Sequence, residues 1–291
     1  VLWSPELIGH VSKDITTVTE VPEHATWPTH MYGQLSRHGM ITRPAATSGD
    51  GTADAPSELV PKGNQDAACL VADAAGETPH ARLLGVFDGH GNSGADVSAF
   101  VSEAFAGCLL APHIIASLHD DEAASAIAQA ALDVDARLAK DMPSEASSSG
   151  STAVVAVCLQ TKIHVATVGD SRCVLGQHVS AAHATGGGES GESGDGGTAS
   201  ASGLVASILS PLHAPDEPGE HERIVAAGGY VEPAGADRML SPARSFFANG
   251  TAPGLSTSRS FGEQRARRIG ITAEPEITTH ARTEAEGLLI G

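Results

Sequence analysis

Apolar and polar positions along this chain follow two different periods, and each period predicts its own kind of element. Residues 67–73 form a short apolar run that predicts a strand. Residues 83–92, LLGVFDGHGN, predict another: an apolar run stops abruptly at an acid, a glycine, a histidine and a second glycine. That is the pattern of a buried strand delivering polar groups to a surface. Val97, Phe100, Val101, Ala104, Phe105, Cys108 and Leu109 then recur at helical spacing, and Pro112 ends the helix. In residues 120–142, Ile127, Ala131, Val134 and Leu138 share one face of a second helix, with acids at its start and Lys140 near its end. Three closely spaced strands follow at 153–159, 163–168 and 172–175, and their short turns predict an antiparallel meander. Residues 204–209 read as a strand. Residues 220–227 read as a short helix with Ile224 and Val225 turned inward and Gly228 and Gly229 as its cap. The stretch 239–252 is less regular, and its Phe246 and Phe247 suit a flap over a site. The apolar run 287–291 begins one more strand.

The remaining segments carry weaker signals. Residues 1–30 show no sustained period and predict an irregular surface arm, and 31–36 predict a first strand. Residues 39–63 are rich in Pro, Gly, Ala and Thr and read as a connection. Residues 181–203 are almost entirely Gly, Ser, Ala, Thr and acid, a solvated insertion with no capacity for a core. With 291 residues, 41% of them hydrophobic, residues 31–291 suit one large domain.

Charge narrows the partners. Seventeen basic residues against 35 acidic ones give a net charge of -18, which repels nucleic acid and anionic membranes and attracts cations or basic protein partners. Cys69, Cys108, Cys158 and Cys173 are far apart, lie in apolar runs and form no C-x-x-C. They read as small buried hydrophobes of an intracellular, reducing compartment such as the cytoplasm. The 14 histidines show no metal-binding spacing and read as scattered surface residues. No apolar run reaches the length of a membrane span, and the N-terminus lacks the pattern of a signal peptide.

The chemistry concentrates where the second strand ends. Asp88 and His90 are flanked by glycines that allow close backbone approach and leave the Gly89 carbonyl available as an oxygen donor. Asp66 leads directly into the strand before, a second carboxylate at a strand edge. A metal site is the first reading. Gly89, Gly91 and Gly94 also spell the G-x-G-x-x-G of a dinucleotide-binding turn, with an apolar stretch at 113–119 and then Asp120 and Asp121 where a ribose-binding acid belongs. Against that second reading, Asp88 would stand beside a pyrophosphate that wants N–H groups and no carboxylate.

Taken in order, KGNQDA, GVFDGHGN, SGSTAVV, VATVGDSRCVL, ERIVAAGGYV, PGLSTSRSFGE and ITAEPEI resemble the motif series of the metal-dependent protein phosphatase 2C family. The resemblance runs from about Met31 to the last residue. It implies an α+β fold, two antiparallel sheets packed as a central sandwich and flanked by helix pairs. It implies a serine/threonine phosphoprotein phosphatase with two Mn2+ or Mg2+ ions. It implies Asp88 and the Gly89 carbonyl as metal ligands, Asp66 as the acid that holds a metal-bound water, and His90 as general acid. Gln65 stands where many members carry a glutamate ligand. Glu263 occupies the position of a metal-binding aspartate. Lys62 is the nearest candidate for a phosphate-binding cation. Leu212 replaces an acid that helps to hold an additional metal. Asp170, Arg172, Ser258 and Arg259 match positions expected to form turns and internal hydrogen bonds. The strand at 287–291 resembles one that runs into a metal-binding Asp-Gly and a closing helix, so the expectation is a piece of a longer protein, cut before its last strand and helix. Three functions are therefore in play: metal-dependent hydrolysis of phosphoserine and phosphothreonine in proteins, a catalytically weak or inactive binding scaffold, and a dinucleotide-binding oxidoreductase.

Overall fold

Strand β4, Arg82–His90, alternates buried and less buried residues along its whole length, the signature of a strand with one face on a core. Its buried face, Leu83, Gly85, Phe87 and Gly89, is covered by helix α1, Gly94–Leu109. The computed structural model describes residues 40–43, 58–61, 63–71, 81–179, 203–238, 241–250, 252–282 and 286–290. The predicted arm at 1–30, the predicted strand at 31–36, Lys62 and residues 181–202 of the insertion lie outside the described residues.

Before β4 come β1 (Met40–Arg43), β2 (Glu58–Pro61) and β3 (Asp66–Val71). After α1 come α2 (Pro112–Ser117), α3 (Ala123–Asp141) and α4 (Glu145–Ser148). Strands β5 (Gly150–Ser151), β6 (Ala153–Cys158), β7 (Lys162–Val168), β8 (Cys173–Val179) and β9 (Gly203–Ile208) follow. Then come α5 (Pro218–Ala226), β10 (Gly229–Glu232), β11 (Arg244–Phe247), β12 (Pro253–Leu255) and β13 (Phe261–Gly262). A 3-10 turn (Ala266–Ile269), β14 (Glu276–Ala281) and β15 (Glu286–Ile290) complete the order.

The main sheet runs β13-β5-β4-β6-β7-β14, with β3 also on β4, and a second sheet runs β15-β8-β9. All their pairings are antiparallel. Helices α1 and α3 pack on the outer face of the main sheet, where Phe105, Ile127, Val134 and Leu138 are fully buried with Phe87 and Val155. Its other face meets the second sheet through Val154, Ala156, Ile163, Val165, Cys173 and Leu175. Strand β6 is therefore buried on both faces and reads as an unbroken apolar run. This is the mixed α+β sandwich that the resemblance implied, and the helix pair α1 and α3 covers one side of it. No helix among the described residues is long and apolar enough to cross a membrane.

Several expectations change. The connection at 39–63 contains the antiparallel pair β1 and β2; four-residue strands set in Pro- and Gly-rich sequence are too short to show a period. The apolar stretch 113–119 is mostly helix α2, started by Pro112 at its first turn. With β4 paired antiparallel on both sides, the described residues hold no parallel strand–helix–strand unit around the glycine turn, which overturns the dinucleotide expectation. The meander stops at β7. Gly169, at φ 101, turns the chain out of the main sheet, and β8 joins the second sheet. Gly203 belongs to β9 rather than to the insertion. Val225 is 49% exposed beside a fully buried Ile224, because neighbouring helical residues point about 100° apart.

Two histidines are also internal rather than superficial. His164 is buried and bonded through its ring to Thr279 and to the Leu118 carbonyl. His213 is 1% exposed and accepts the Gly169 N–H at Nδ1, 3.1 Å away, so the neutral ring carries its proton on Nε2. Burial, with Arg259 nearby, pushes His213 down to about 4. Ser258 N–H donates to its carbonyl. Nearby, Glu220 of α5 gathers Arg223, Arg259 and Ser258 on one buried carboxylate. Burial opposes its charge, but those donors hold it well below the ordinary carboxylate range. Thus Ser258 and Arg259 serve internal bonding, as expected. The four cysteines are free, and burial raises Cys69 and Cys173 to about 12.

Candidate active site

The register of β3 on β4 places Asp66 directly opposite Asp88. Paired residues of adjacent strands share a face, and here it is the face turned away from α1, so both carboxylates, each exposed, emerge side by side at the end of the sheet. His90 lies on the same face of β4, two residues further on. The main chain of Asp88 is locked by Thr152: Asp88 N–H donates to Thr152 Oγ1 at 3.0 Å, and Thr152 N–H donates to the Asp88 carbonyl at 2.9 Å.

The glycines of this turn have a packing reason. A Cβ on Gly89 would collide with the carbonyl oxygens of Gly94 and Gln65. Gly91 has φ 84 and would meet Ser149. Gln65 clasps the turn from the other side. Its carbonyl accepts from Gly89 N–H at 3.1 Å and Ser98 Oγ at 2.6 Å, and its Nε2 donates to the Gly91 carbonyl at 2.7 Å. A glutamate has no donor for that last bond.

His90 meets the end of β13. Its Nε2 is 3.3 Å from Ser260 Oγ and 3.6 Å from Glu263 Oε1. Ser260 commits its single proton to the Phe261 carbonyl, 2.7 Å away, so toward His90 it acts as acceptor and the Nε2 carries the proton. Glu263 is 4% exposed and adopts φ 49, an unusual backbone for a residue with a side chain. Burial raises its carboxyl to about 7, partly offset by Arg267. Helix α3 fixes this corner through Asp135, which accepts from Gly262 N–H and Arg267 at 2.8 Å and from Gln264 at 3.3 Å.

Asp88, His90, Thr152, Asp170 and Glu263 line an open cavity of about 500 Å³, and β11 and β12 supply its other wall through Arg244, Phe247 and residues 253–255. The flap expected from Phe246 and Phe247 is thus in place as the sheet β10-β11-β12. A larger groove of about 710 Å³ lies between α1, α2 and α3, away from all these groups. Gln65, Asp66 and Gly89 are not walls of the 500 Å³ cavity. Among the described residues no three His, Cys, Asp or Glu side chains form a ready-made metal cluster. Sequence reasoning missed Thr152, Ser260, Asp135, Arg244 and Arg265. Thr152 and Ser260 lie inside the SGSTAVV and SRSFG motifs, which was a usable signal. Asp135 looked like any acid on a helix, and the two arginines like any surface charge.

Residues 62–290 match the protein phosphatase 2C family model. The chain belongs to the protein phosphatase 2C family. Among curated relatives, the probable protein phosphatase 2C 35 of Arabidopsis thaliana is 31% identical over 75% of this chain and 59% of its own length. The probable protein phosphatase 2C 64 of Oryza sativa subsp. japonica is 34% identical over 78% of this chain and 48% of its own. This 2C-family chain therefore spans about half to three-fifths of the length of those relatives. The serine-threonine phosphatase 2C of Toxoplasma gondii shares its fold, with a TM-score of 0.60 at 18% identity over 87% of this chain and 80% of that one. So does a sex determining protein of C. elegans, with a TM-score of 0.56 at 19% identity over 87% of this chain and 50% of that one.

Proposed function

We propose that the protein hydrolyses phosphoserine and phosphothreonine esters in proteins with the help of two Mn2+ or Mg2+ ions. The observation that carries this reading is the register that sets Asp66 against Asp88, with Asp88 and His90 both lining the 500 Å³ cavity. Like charges opposed across two strands repel each other, and a hard divalent cation relieves that repulsion. Mg2+ and Mn2+ accept carboxylates, backbone carbonyls and several waters. A pair of acids with a neighbouring carbonyl therefore fits them without a closed protein cage. Asp66, Asp88 and the Gly89 carbonyl would hold the ions, with Glu263 approaching from the end of β13 and Gln65 offering only a neutral oxygen. When bound, such ions supply a nucleophile at neutral pH and offset phosphoryl charge.

The remaining work falls to the chain. In its imidazolium form His90, a wall of the cavity, keeps its Nε2–H toward Ser260 and Glu263, and transfer of its other ring proton to the ester oxygen lets serine or threonine leave as an alcohol. Glu263, in its ionised form, stabilises the charged imidazolium that precedes this transfer. Thr152 holds Asp88 at both its N–H and its carbonyl, so the backbone that carries the carboxylate is fixed before substrate arrives.

The test is phosphate release from a phosphothreonine peptide with and without manganese. Asp88→Asn should lower manganese-stimulated release by about 100-fold or more, since even outer partners of a metal cost 10- to 100-fold. Circular dichroism should show an unchanged fold. Release that survives in Asp88→Asn, or that is indifferent to chelation, would contradict the proposal.

A further inference from the structure

Several arginines of this chain are held in close carboxylate pairs. Arg223 and Arg259 pair with Glu220 at 2.6 Å, and Arg238 with Asp216 and Arg267 with Asp135 at 2.8 Å. Arg244 and Arg265 have no carboxylate within 4 Å among the described residues, and both stand at one opening. Arg244 and Arg265 are exposed walls of the 500 Å³ cavity. The Arg268 guanidinium lies 4.1 Å from the ring centroid of Phe247, itself a wall of that cavity.

Their placement is built rather than incidental. Arg244 Nη1 donates to the Gly254 carbonyl at 2.6 Å, which ties one side of the guanidinium to β12. Arg265 is set by its backbone N–H on the Ser147 carbonyl at 3.1 Å, and its guanidinium makes no hydrogen bond among the described residues. Asp88, Asp170 and Glu263 lie on the same cavity but come from the ends of β4, β7 and β13. The cavity thus carries acids where the chemistry sits and one arginine on each side, Arg244 from β11 and Arg265 just past β13. In a chain of net charge -18, unpaired guanidiniums around one opening create a local field opposite to that of the whole molecule.

We infer that this rim recognises acidic side chains next to the phosphorylated residue, so that the preferred substrates are phosphopeptides carrying Asp or Glu beside the phosphoserine or phosphothreonine. The inference rests on the hydrolase reading of the same cavity. Its chemistry is the planar guanidinium fork, which matches a carboxylate with two parallel hydrogen bonds. An exposed pair of this kind contributes up to about fivefold, and the two arginines acting on one peptide contribute about tenfold. The net charge alone predicts the reverse, a preference for basic peptides, so the two views separate cleanly.

The experiment uses three phosphothreonine peptides with one core sequence, flanked by Glu, Gln or Lys. Turnover is measured with manganese, and binding is measured by fluorescence anisotropy on the metal-free protein. The Glu peptide should exceed the Gln peptide by about tenfold in kcat/KM, chiefly through KM, and the advantage should shrink with salt. In the double variant Arg244→Gln, Arg265→Gln the ratio should fall to about one, and Arg265→Glu should move the preference toward the Lys peptide. Equal use of Glu and Gln peptides, or a wild-type preference for Lys, would overturn the inference. So would a loss of the same size on all three peptides, which would put the arginines on the phosphoryl group itself. If no peptide is turned over, the hydrolase reading fails instead. The anisotropy ratio then decides the rim on its own, with a tie between Glu and Gln peptides counting against it.

Discussion

Glu263 is stored at a cost in the metal-free protein, and Glu263→Gln should release it. The side chain is 4% exposed, its neighbours include the His90 ring at 3.6 Å, and its carboxyl is raised from 4.5 to about 7, by burial above all and against the pull of Arg267. The folded state therefore holds this proton more tightly than the unfolded chain. Stability is undiminished below pH 4.5, falls as pH rises through the interval to 7, and is lowered by the full amount above it. A difference of that size corresponds to about 3 kcal/mol at pH 8 and to less than about 1 kcal/mol at pH 5. Glutamine keeps the shape and the backbone preference, so the strain at φ 49 is common to both proteins and cancels. Urea denaturation in the presence of a chelator should show Glu263→Gln more stable by about 2–3 kcal/mol at pH 8 and close to wild type at pH 5. If the two proteins have equal midpoints at pH 8, or if the variant is weaker there, the carboxylate is not held against its own desolvation and the reasoning is wrong.

His213 carries the opposite trend. Burial lowers it from 6.5 to about 4, so its contribution is whole above pH 6.5 and is lost as pH falls toward 4, about 3 kcal/mol in all. Asparagine can accept the Gly169 N–H in place of Nδ1, and His213→Asn should remove this acid sensitivity in denaturant titrations between pH 7.5 and 4.5. An unchanged pH slope would refute the assignment. Because the His213 and Glu263 trends oppose each other over nearly the same interval, the wild-type profile should look flat and only the variants resolve it. Gly89→Ala forces a methyl group against two backbone carbonyls; it should cost about 1–3 kcal/mol and displace the Asp88–His90 segment. A variant with wild-type stability and activity would show that the turn relaxes easily.

What the sequence made legible followed from local physics. The two long helices announced themselves because Ile127, Ala131, Val134 and Leu138, like Val97, Val101 and Phe105, fall on one face and are buried there. β4 was legible because its apolar run ends on the polar DGHG turn. The family resemblance then placed Asp66, Asp88, His90 and Glu263, and the register and the Thr152 lock supplied the geometry that no string of letters contains. What stayed hidden depends on distant partners. β8 leaves the meander because Gly169 turns the chain and Ser210 and His213, distant in sequence, hold that turn from across the fold. Asp135 is a helix acid whose importance lies in Gly262 and Arg267, more than a hundred residues away. Arg244 and Arg265 gain meaning only once the cavity they share is in view.

The second sheet has a history as well as a shape. β8 sits between β9 and β15, and its first residue, Cys173, pairs with Ile290. On a ribosome adding about 5–20 residues per second, that partner emerges roughly ten seconds after β8 itself. For that interval one side of β8 offers unmet N–H and C=O groups to whatever strand is nearby. Newly made chains of this protein should thus pass through a stage in which they are open to strand exchange with one another, and the arrival of β15 is the event that ends it.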